Sequence, residues 1–407
     1  MRLTLVIHAM TNGGAERVAA TMANSWAARG WEVTLLTFDD GREPPFYTLD
    51  RRVRHRPLGI SRVSGGFRRA VANNLMRVRT IREAIRTSQP DVVLSFLDTA
   101  NVLVLLAGRG LGIPTIVTEH TDPAQKRLLR TWNLLRRLLY PRASRVVVLS
   151  ETARSFFPPS IQARSVVMPN PIAVDAPAVD DVPARNDLRT VVAMGRFSPE
   201  KGFDLLLEAF SRIAAKHPEW RLVVWGDGRL RPQLESLRDR LGLQDRVLLP
   251  GRTTEPFREL RRADLFVMSS RREGFPMALG EAMACGLPAV SFDCPSGPRQ
   301  IIRDGVDGVL VPDGDVLGLA AAMSRLMSDD GERQRLAARA VEVNERFGPE
   351  RVLAQWQQLL DETLATSGRR DSMAARVDSR ATTTDQGLSG GSEESIPRRL
   401  HRRMRTG

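Results

Sequence analysis

A chain of 407 residues is too long for one hydrophobic core and suits two domains of ordinary size, and an apolar content of 42% is enough for well-buried sheets. The formal charge of +13 points to an anionic partner, whether nucleic acid, anionic lipid or a phosphorylated substrate. No run approaches the roughly 18 apolar residues of a spanning helix, and Cys285 and Cys294 lack metal-ligand spacing, so a soluble or peripheral protein with buried thiols in a reducing compartment is expected.

The first apolar run, Leu3–Ala9, is too short for a signal peptide and reads as a core strand. Similar runs follow at Glu32–Thr37, Asp91–Phe96, Thr115–Thr118 and Arg145–Leu149. Each is apolar nearly throughout, as parallel strands covered on both faces are. Between them, Phe67, Val71, Leu75, Val78, Ile81 and Ile85 fall on one helical face. Pro171, Pro177 and Pro183, set among Asp and Ala, mark a linker over 171–188. Strand runs resume at Arg189–Met194, Arg221–Trp225, Arg246–Leu249, Asp264–Met268, Pro288–Phe292 and Gly308–Val311. A last helix is expected over 349–365, packing back toward the first domain. From 366 to 407 periodicity gives way to Ser, Gly, Thr and charge, the composition of a disordered tail. The expected architecture is α/β: two Rossmann-like doubly wound domains, 1–170 and 189–348, facing across a cleft.

In such folds ligands bind at the carboxyl ends of strands, beside helix N-termini. Four segments stand there. Thr11–Arg17, with Gly13 and Gly14, follows the first strand and permits close backbone approach to an anion. Gly195–Gly202 follows the first strand of the second domain and places Arg196 and Lys201 around a helix-opening turn, suited to a diphosphate. Glu273–Glu281 follows a later strand. Pro276 fits the first turn of a helix, which would leave the N–H groups of Phe275, Met277 and Ala278 for a phosphate or sugar oxygen. At about 1.5 Å per residue, Glu273 and Glu281 stand too far apart to be the paired acids of a glycosidase and suit separate hydroxyls of an extended ligand. Thr118–Thr121 places His120, one of five histidines, at a strand end. Each segment has a plain structural alternative: a ligand-free turn, solvated charge, exposed helix-end acids or a structural histidine.

Glu273–Pro288 and Gly195–Gly202 resemble the E-x7-E and G-R-x-x-x-x-K-G elements of the retaining glycosyltransferases of family 4, which have the GT-B fold. Gly13–Arg17 is similar to that family's first loop, and the resemblance spans residues 1–365. The segment Ser291–Arg299 looks like that of a subgroup that elongates lipid-linked oligosaccharides in bacterial surface-polysaccharide assembly, although Gln300 stands where that subgroup commonly has Glu. The resemblance implies that Arg196 and Lys201 neutralise a nucleotide diphosphate and that Glu281 binds ribose hydroxyls. It implies that Glu273 and the backbone from Gly274 through Phe275, Pro276, Met277 and Ala278 hold the transferred sugar. Gly14 would approach the phosphate or acceptor, His120 would contact the sugar near the reacting carbon, and Arg252 joins the donor-binding set. The donor is implied to be a UDP-sugar, with no cofactor or metal required. Asp313-Gly-Asp315, which mimics a metal-binding D-x-D, reads as a turn and helix cap. Catalysis would rest on stabilising the charge that grows on the leaving diphosphate.

The excess charge is concentrated in the first half. Eleven Arg and one acid, Glu83, lie between Arg51 and Arg86, and seven basic residues and no acid between Lys126 and Arg145. On a helical wheel over 126–140, Lys126, Arg127, Arg130, Arg136 and Arg137 take one side and Leu129, Trp132, Leu135, Leu138 and Leu139 the remainder. Such a helix suits an anionic membrane surface; an ordinary core helix with a solvated basic face is the alternative. A lipid-linked or saccharide acceptor and a cytoplasmic location, peripheral on the inner face of the cell membrane, are the matching expectations. Two Tyr leave little for base stacking, so no nucleic acid is expected. A nicotinamide-dependent oxidoreductase would need a third glycine that Gly226-Asp-Gly228 lacks. A sugar-nucleotide epimerase of the same fold remains an alternative.

Overall fold

The computed structural model describes residues 1–61, 66–124, 128–174 and 188–368. Most of the expected linker, the tail beyond Gly368, and Lys126 and Arg127 lie outside the described residues.

The first half is a seven-stranded parallel sheet of β1 (Arg2–Ile7), β2 (Glu32–Thr37), β3 (Arg54–Pro57), β4 (Val92–Phe96), β5 (Thr115–Glu119), β6 (Arg145–Val148) and β7 (Ser165–Val167). Its spatial order is β3-β2-β1-β4-β5-β6-β7. The second half is a six-stranded parallel sheet of β8 (Arg189–Met194), β9 (Trp220–Trp225), β10 (Val247–Gly251), β11 (Leu265–Met268), β12 (Ala289–Asp293) and β13 (Val309–Pro312), in the order β10-β9-β8-β11-β12-β13. Central strands such as β4 are buried at every residue, which is why their sequences are apolar runs rather than alternating ones. The edge strand β3, Arg-His-Arg-Pro, was hidden by its charge: it is half exposed and needs no apolar run.

The longer helices of the first half are α1 (Gly14–Ala28), α2 (Phe67–Ser88), α3 (Asp98–Gly108) and α4 (Arg130–Leu139). α3 is apolar almost all round and lies buried in contact with α2 and α4. The single apolar face expected along α2 divides. Ile81 and Ile85 are buried, but Val71 and Leu75 are exposed.

The final helix, Pro349–Thr366, comes after the second sheet in the chain yet buries Val352, Leu353, Trp356, Leu359, Leu360 and Leu364 in the core of the first half. Trp356 meets Trp26 of α1 edge-on at 6.4 Å between ring centroids. The chain therefore crosses between its halves twice. Asp315 caps the helix Val316–Ser328, accepting from the Gly318 N–H at 2.9 Å.

Candidate active site

In each sheet the strand order reverses once, between β1 and β4 and between β8 and β11. The chain leaves on opposite sides there and opens a crevice at the strands' carboxyl ends. In the second half the two loops at that point are Gly195–Gly202 and Ser269–Pro276, and they bind each other. Lys201 Nζ donates to Glu273 Oε1 at 2.7 Å, and Ser270 Oγ donates to the same oxygen at 2.7 Å. Gly202 has φ +61°, and a Cβ there would lie 2.1 Å from the Ser269 carbonyl oxygen, so glycine is required where the loops meet. Lys201 keeps a partly exposed ammonium while Glu273 is nearly buried.

From the first half, the N-terminus of α1 reaches this crevice. Gly14 lies against Met277, with a notional Cβ 3.5 Å from the Met277 Cγ. Arg17 donates from Nη1 to Glu281 Oε1, joining the halves. The same guanidinium lies over the rings of Tyr47 and Phe257, each 5.2 Å from centroid to Cζ. Burial raises the pKa of Glu16, opposed by a backbone hydrogen bond, Thr11 and the nearby charge of Arg196, which reaches across from the second half. Glu273 and Glu281 thus have different cationic partners, Lys201 and Arg17.

His120 follows β5 and stacks on Phe96 at the end of β4, with centroids 5.1 Å apart and planes 17° from parallel. Its Nε2 hydrogen-bonds Thr118 Oγ1 at 2.9 Å. Loss of solvent pushes its pKa down to about 4, against a favourable contact with Asn170, so the ring is neutral at neutral pH. Leu97, next to Phe96, has φ +72°, a backbone conformation that costs a non-glycine residue about 1–3 kcal/mol. Gly274 closes on this strand end: a Cβ there would lie 2.6 Å from the His120 carbonyl oxygen. The close approach of Gly274 to His120 sets the two halves in register at the crevice.

Several expected residues stand differently. Pro276 is the cap residue and the helix begins at Met277, because the Pro276 ψ of 88° is not helical. The first-turn amides are therefore those of Met277, Ala278 and Leu279, not that of Phe275. The Phe275 ring turns into the core and meets Phe347 edge-on at 5.5 Å. Arg196 and Arg252 are exposed, and Arg252 lends its charge to Asp227. The basic wheel over 126–140 is also corrected. Its described helix starts at Arg130, and Arg136 points inward at 4% exposure, because it lies over the rings of Phe156 and Phe157 and beside Glu119. Leu134 and Leu138, 58% and 53% exposed, face outward instead, beside Arg130 and Arg137. Arg17 was visible in its motif but carried no assigned role; a lone Arg four residues beyond a glycine gives no signal until its partner across the cleft is known.

The two cysteines are free, and burial pushes the Cys285 thiol up to about 11 and the Cys294 thiol up to about 12. Among the described residues no three His, Cys, Asp or Glu side chains gather as a metal site.

Residues 12–176 match the family model described as Glycosyltransferase Family 4, and residues 178–343 the one described as Glycosyl transferases group 1. The chain is 28% identical to a Campylobacter jejuni GalNAc-alpha-(1->4)-GalNAc-alpha-(1->3)-diNAcBac-PP-undecaprenol alpha-1,4-N-acetyl-D-galactosaminyltransferase, over 89% of this chain and 99% of that protein. It is 31% identical to a Streptomyces coelicolor exopolysaccharide phosphotransferase over 93% of this chain, but spans only 42% of that protein's length. Among solved structures, Anabaena Alr3699/HepE in complex with UDP and glucose superposes with a TM-score of 0.74 at 21% identity, covering 89% of this chain and 100% of that one.

Proposed function

The chain belongs to the family 4, group 1 glycosyltransferases, and on that premise we propose that it moves a sugar from a UDP-sugar to a lipid-linked or saccharide acceptor in cell-surface glycan synthesis, with retention of anomeric configuration. The meeting of the loops after β8 and β11 in the Lys201–Glu273 pair, opposite the α1 N-terminus, carries this reading. Lys201 and Arg196 offset the charge that grows on the departing diphosphate, and the first-turn amides of the Met277–Ala284 helix add to them. Glu281 takes the ribose hydroxyls after Arg17 yields it. Glu273 and the Gly274 backbone hold the sugar, and neutral His120 lies beside its reacting carbon. Gly14 approaches the phosphate or acceptor. Positive charge supplied by side chains does the work here, with no metal needed.

The Campylobacter relative is named for an undecaprenol-diphosphate acceptor, and an acceptor of that class supports a membrane-facing role for α4. Its outward Leu134 and Leu138 lie beside Arg130 and Arg137, in a stretch with seven bases and no acid. An anionic bilayer is the matching surface, each basic residue contributing about 1 kcal/mol. No described helix is long and apolar enough to cross a membrane.

The test is incubation with UDP- and GDP-sugars and a polyprenyl-phosphate-linked acceptor, with the product read by mass spectrometry. Mass gain of one sugar on the acceptor is expected; nucleotide release without transfer, or epimerised donor, would overturn the assignment. Flotation with anionic and zwitterionic vesicles tests the surface, and binding indifferent to lipid charge and salt would remove it.

A further inference from the structure

We propose that Glu119, Arg136 and Tyr140 form a buried network of positioning residues that fixes His120 at the crevice. The proposal rests on the reading in which His120 lies beside the donor sugar.

Strand geometry sets up the arrangement. Glu119 ends β5, and its neighbours Thr118 and His120 lie on the opposite face from it. Thr118 Oγ1 holds the His120 ring on the Phe96 side. Glu119 points the other way, toward α4 and the turn after it. There Tyr140 Oη donates to Glu119 Oε1 at 2.5 Å, and Arg136 Nη1 stands 3.8 Å from the same oxygen. Asn101 on α3 ties the two faces together: its Nδ2 donates to the Thr118 carbonyl at 2.9 Å and to Tyr140 Oη at 3.0 Å. A continuous path therefore runs from Arg136 through Glu119, Tyr140, Asn101 and Thr118 to the His120 ring.

Stability alone does not account for this network. The Glu119 and Arg136 side chains are 1% and 5% exposed. Removing such a pair from water costs several kcal/mol per ion, and well-packed apolar replacements are often neutral or stabilising. The Arg136 guanidinium lies over both the Phe156 and Phe157 rings and donates to Asn133 Oδ1 at 2.9 Å, so its place is over-determined. The Tyr140 hydroxyl stays protonated because burial, and then the adjacent Glu119 carboxylate, push its pKa well up, which keeps it a donor. An oriented carboxylate directly before His120 pins the end of β5, where strained Leu97 and tightly packed Gly274 also converge. Small displacements at such a point matter, since a misplacement of about 1 Å can cost on the order of 100-fold in rate.

The experiment compares Tyr140→Phe, Glu119→Gln, Arg136→Met and Arg136→Lys with the wild-type chain in sugar transfer and in ring NMR of the five histidines. The expected result is a fall in kcat on the order of 10- to 100-fold, with donor KM nearly unchanged, for Tyr140→Phe and Arg136→Met. Arg136→Lys should recover part of it, and the His120 ring signals should shift in the impaired variants. Folded Arg136→Met with wild-type kcat, or unmoved His120 signals in folded Tyr140→Phe, overturns the network. Should Tyr140→Phe not fold, Glu119→Gln carries the same readings. A wild-type chain that transfers no sugar sinks the transferase reading, while the NMR arm still decides whether these residues position His120.

Discussion

Arg17 and Glu281 stand 264 positions apart in the chain and are hydrogen-bonded across the crevice. The Glu281 side chain is 5% exposed, and its carboxylate is held by the Arg17 guanidinium at the place proposed for the ribose. A ligand hydroxyl that reaches Glu281 competes with Arg17. Glu281→Ala should weaken UDP binding about 10-fold or more, the loss of hydrogen bonds to a charged acceptor. Arg17→Ala should instead tighten UDP binding several-fold while lowering the melting temperature of the ligand-free protein, because it leaves a buried carboxylate without that partner. Titration calorimetry with UDP reads both; wild-type affinity in Glu281→Ala removes Glu281 from the ribose role.

Gly274→Ala tests how finely the halves are registered. The added methyl would sit 2.6 Å from the His120 carbonyl oxygen and 3.1 Å from the Thr121 Cα, all backbone, so the strand end or the loop must move. kcat/KM for transfer should fall by about 10-fold or more, from displacement on the order of 1 Å. Activity close to wild type would mean that the halves open freely at this point during turnover.

His120 makes stability depend on pH. Its pKa in the fold, about 4, lies below the ordinary 6.5, so the unfolded chain takes up the proton first. Stability is therefore retained above pH 6.5 and lost as pH falls from there toward 4, by roughly 3 kcal/mol at about 1.4 kcal/mol per unit. Urea midpoints measured across that window should fall less steeply for His120→Gln than for wild type. Parallel slopes would place the titration elsewhere.

Trp356→Ala should destabilise the first half by about 3–5 kcal/mol, the usual result of emptying a large buried aromatic. Its ring fills the space against Trp26, although it belongs to the last helix of the chain. Chemical unfolding followed by tryptophan fluorescence measures the loss; a change below about 1 kcal/mol would mean that the helix packs only loosely.

Much of this was legible in the sequence because buried parallel strands declare themselves as apolar runs, and because loops after strands carry unusual residues. Glu273–Glu281 and Gly195–Gly202 were placed in the second half by that logic, and their loops do meet through Lys201 and Glu273. What stayed hidden was contact between distant segments. Arg17 and Glu281 share no local pattern. Arg136 sits among six other bases in its stretch, and a helical wheel cannot know that Phe156 and Phe157 wait for it. Wheel arithmetic put Arg136 on the basic side and Leu138 on the apolar one because it weighs polarity and knows nothing of partners. β3 and β7 were missed for a related reason: edge strands need little burial, so their sequences carry little hydrophobic signal.

The return of the last helix to the first half has a mechanical meaning. A door on one hinge pin can swing and twist; a door hung on two can only turn about the line through them. The polypeptide passes between the halves once after β7 and again before Pro349, and these are its two hinge pins. A rotation about that line would part Gly274 from His120 and Arg17 from Glu281 together.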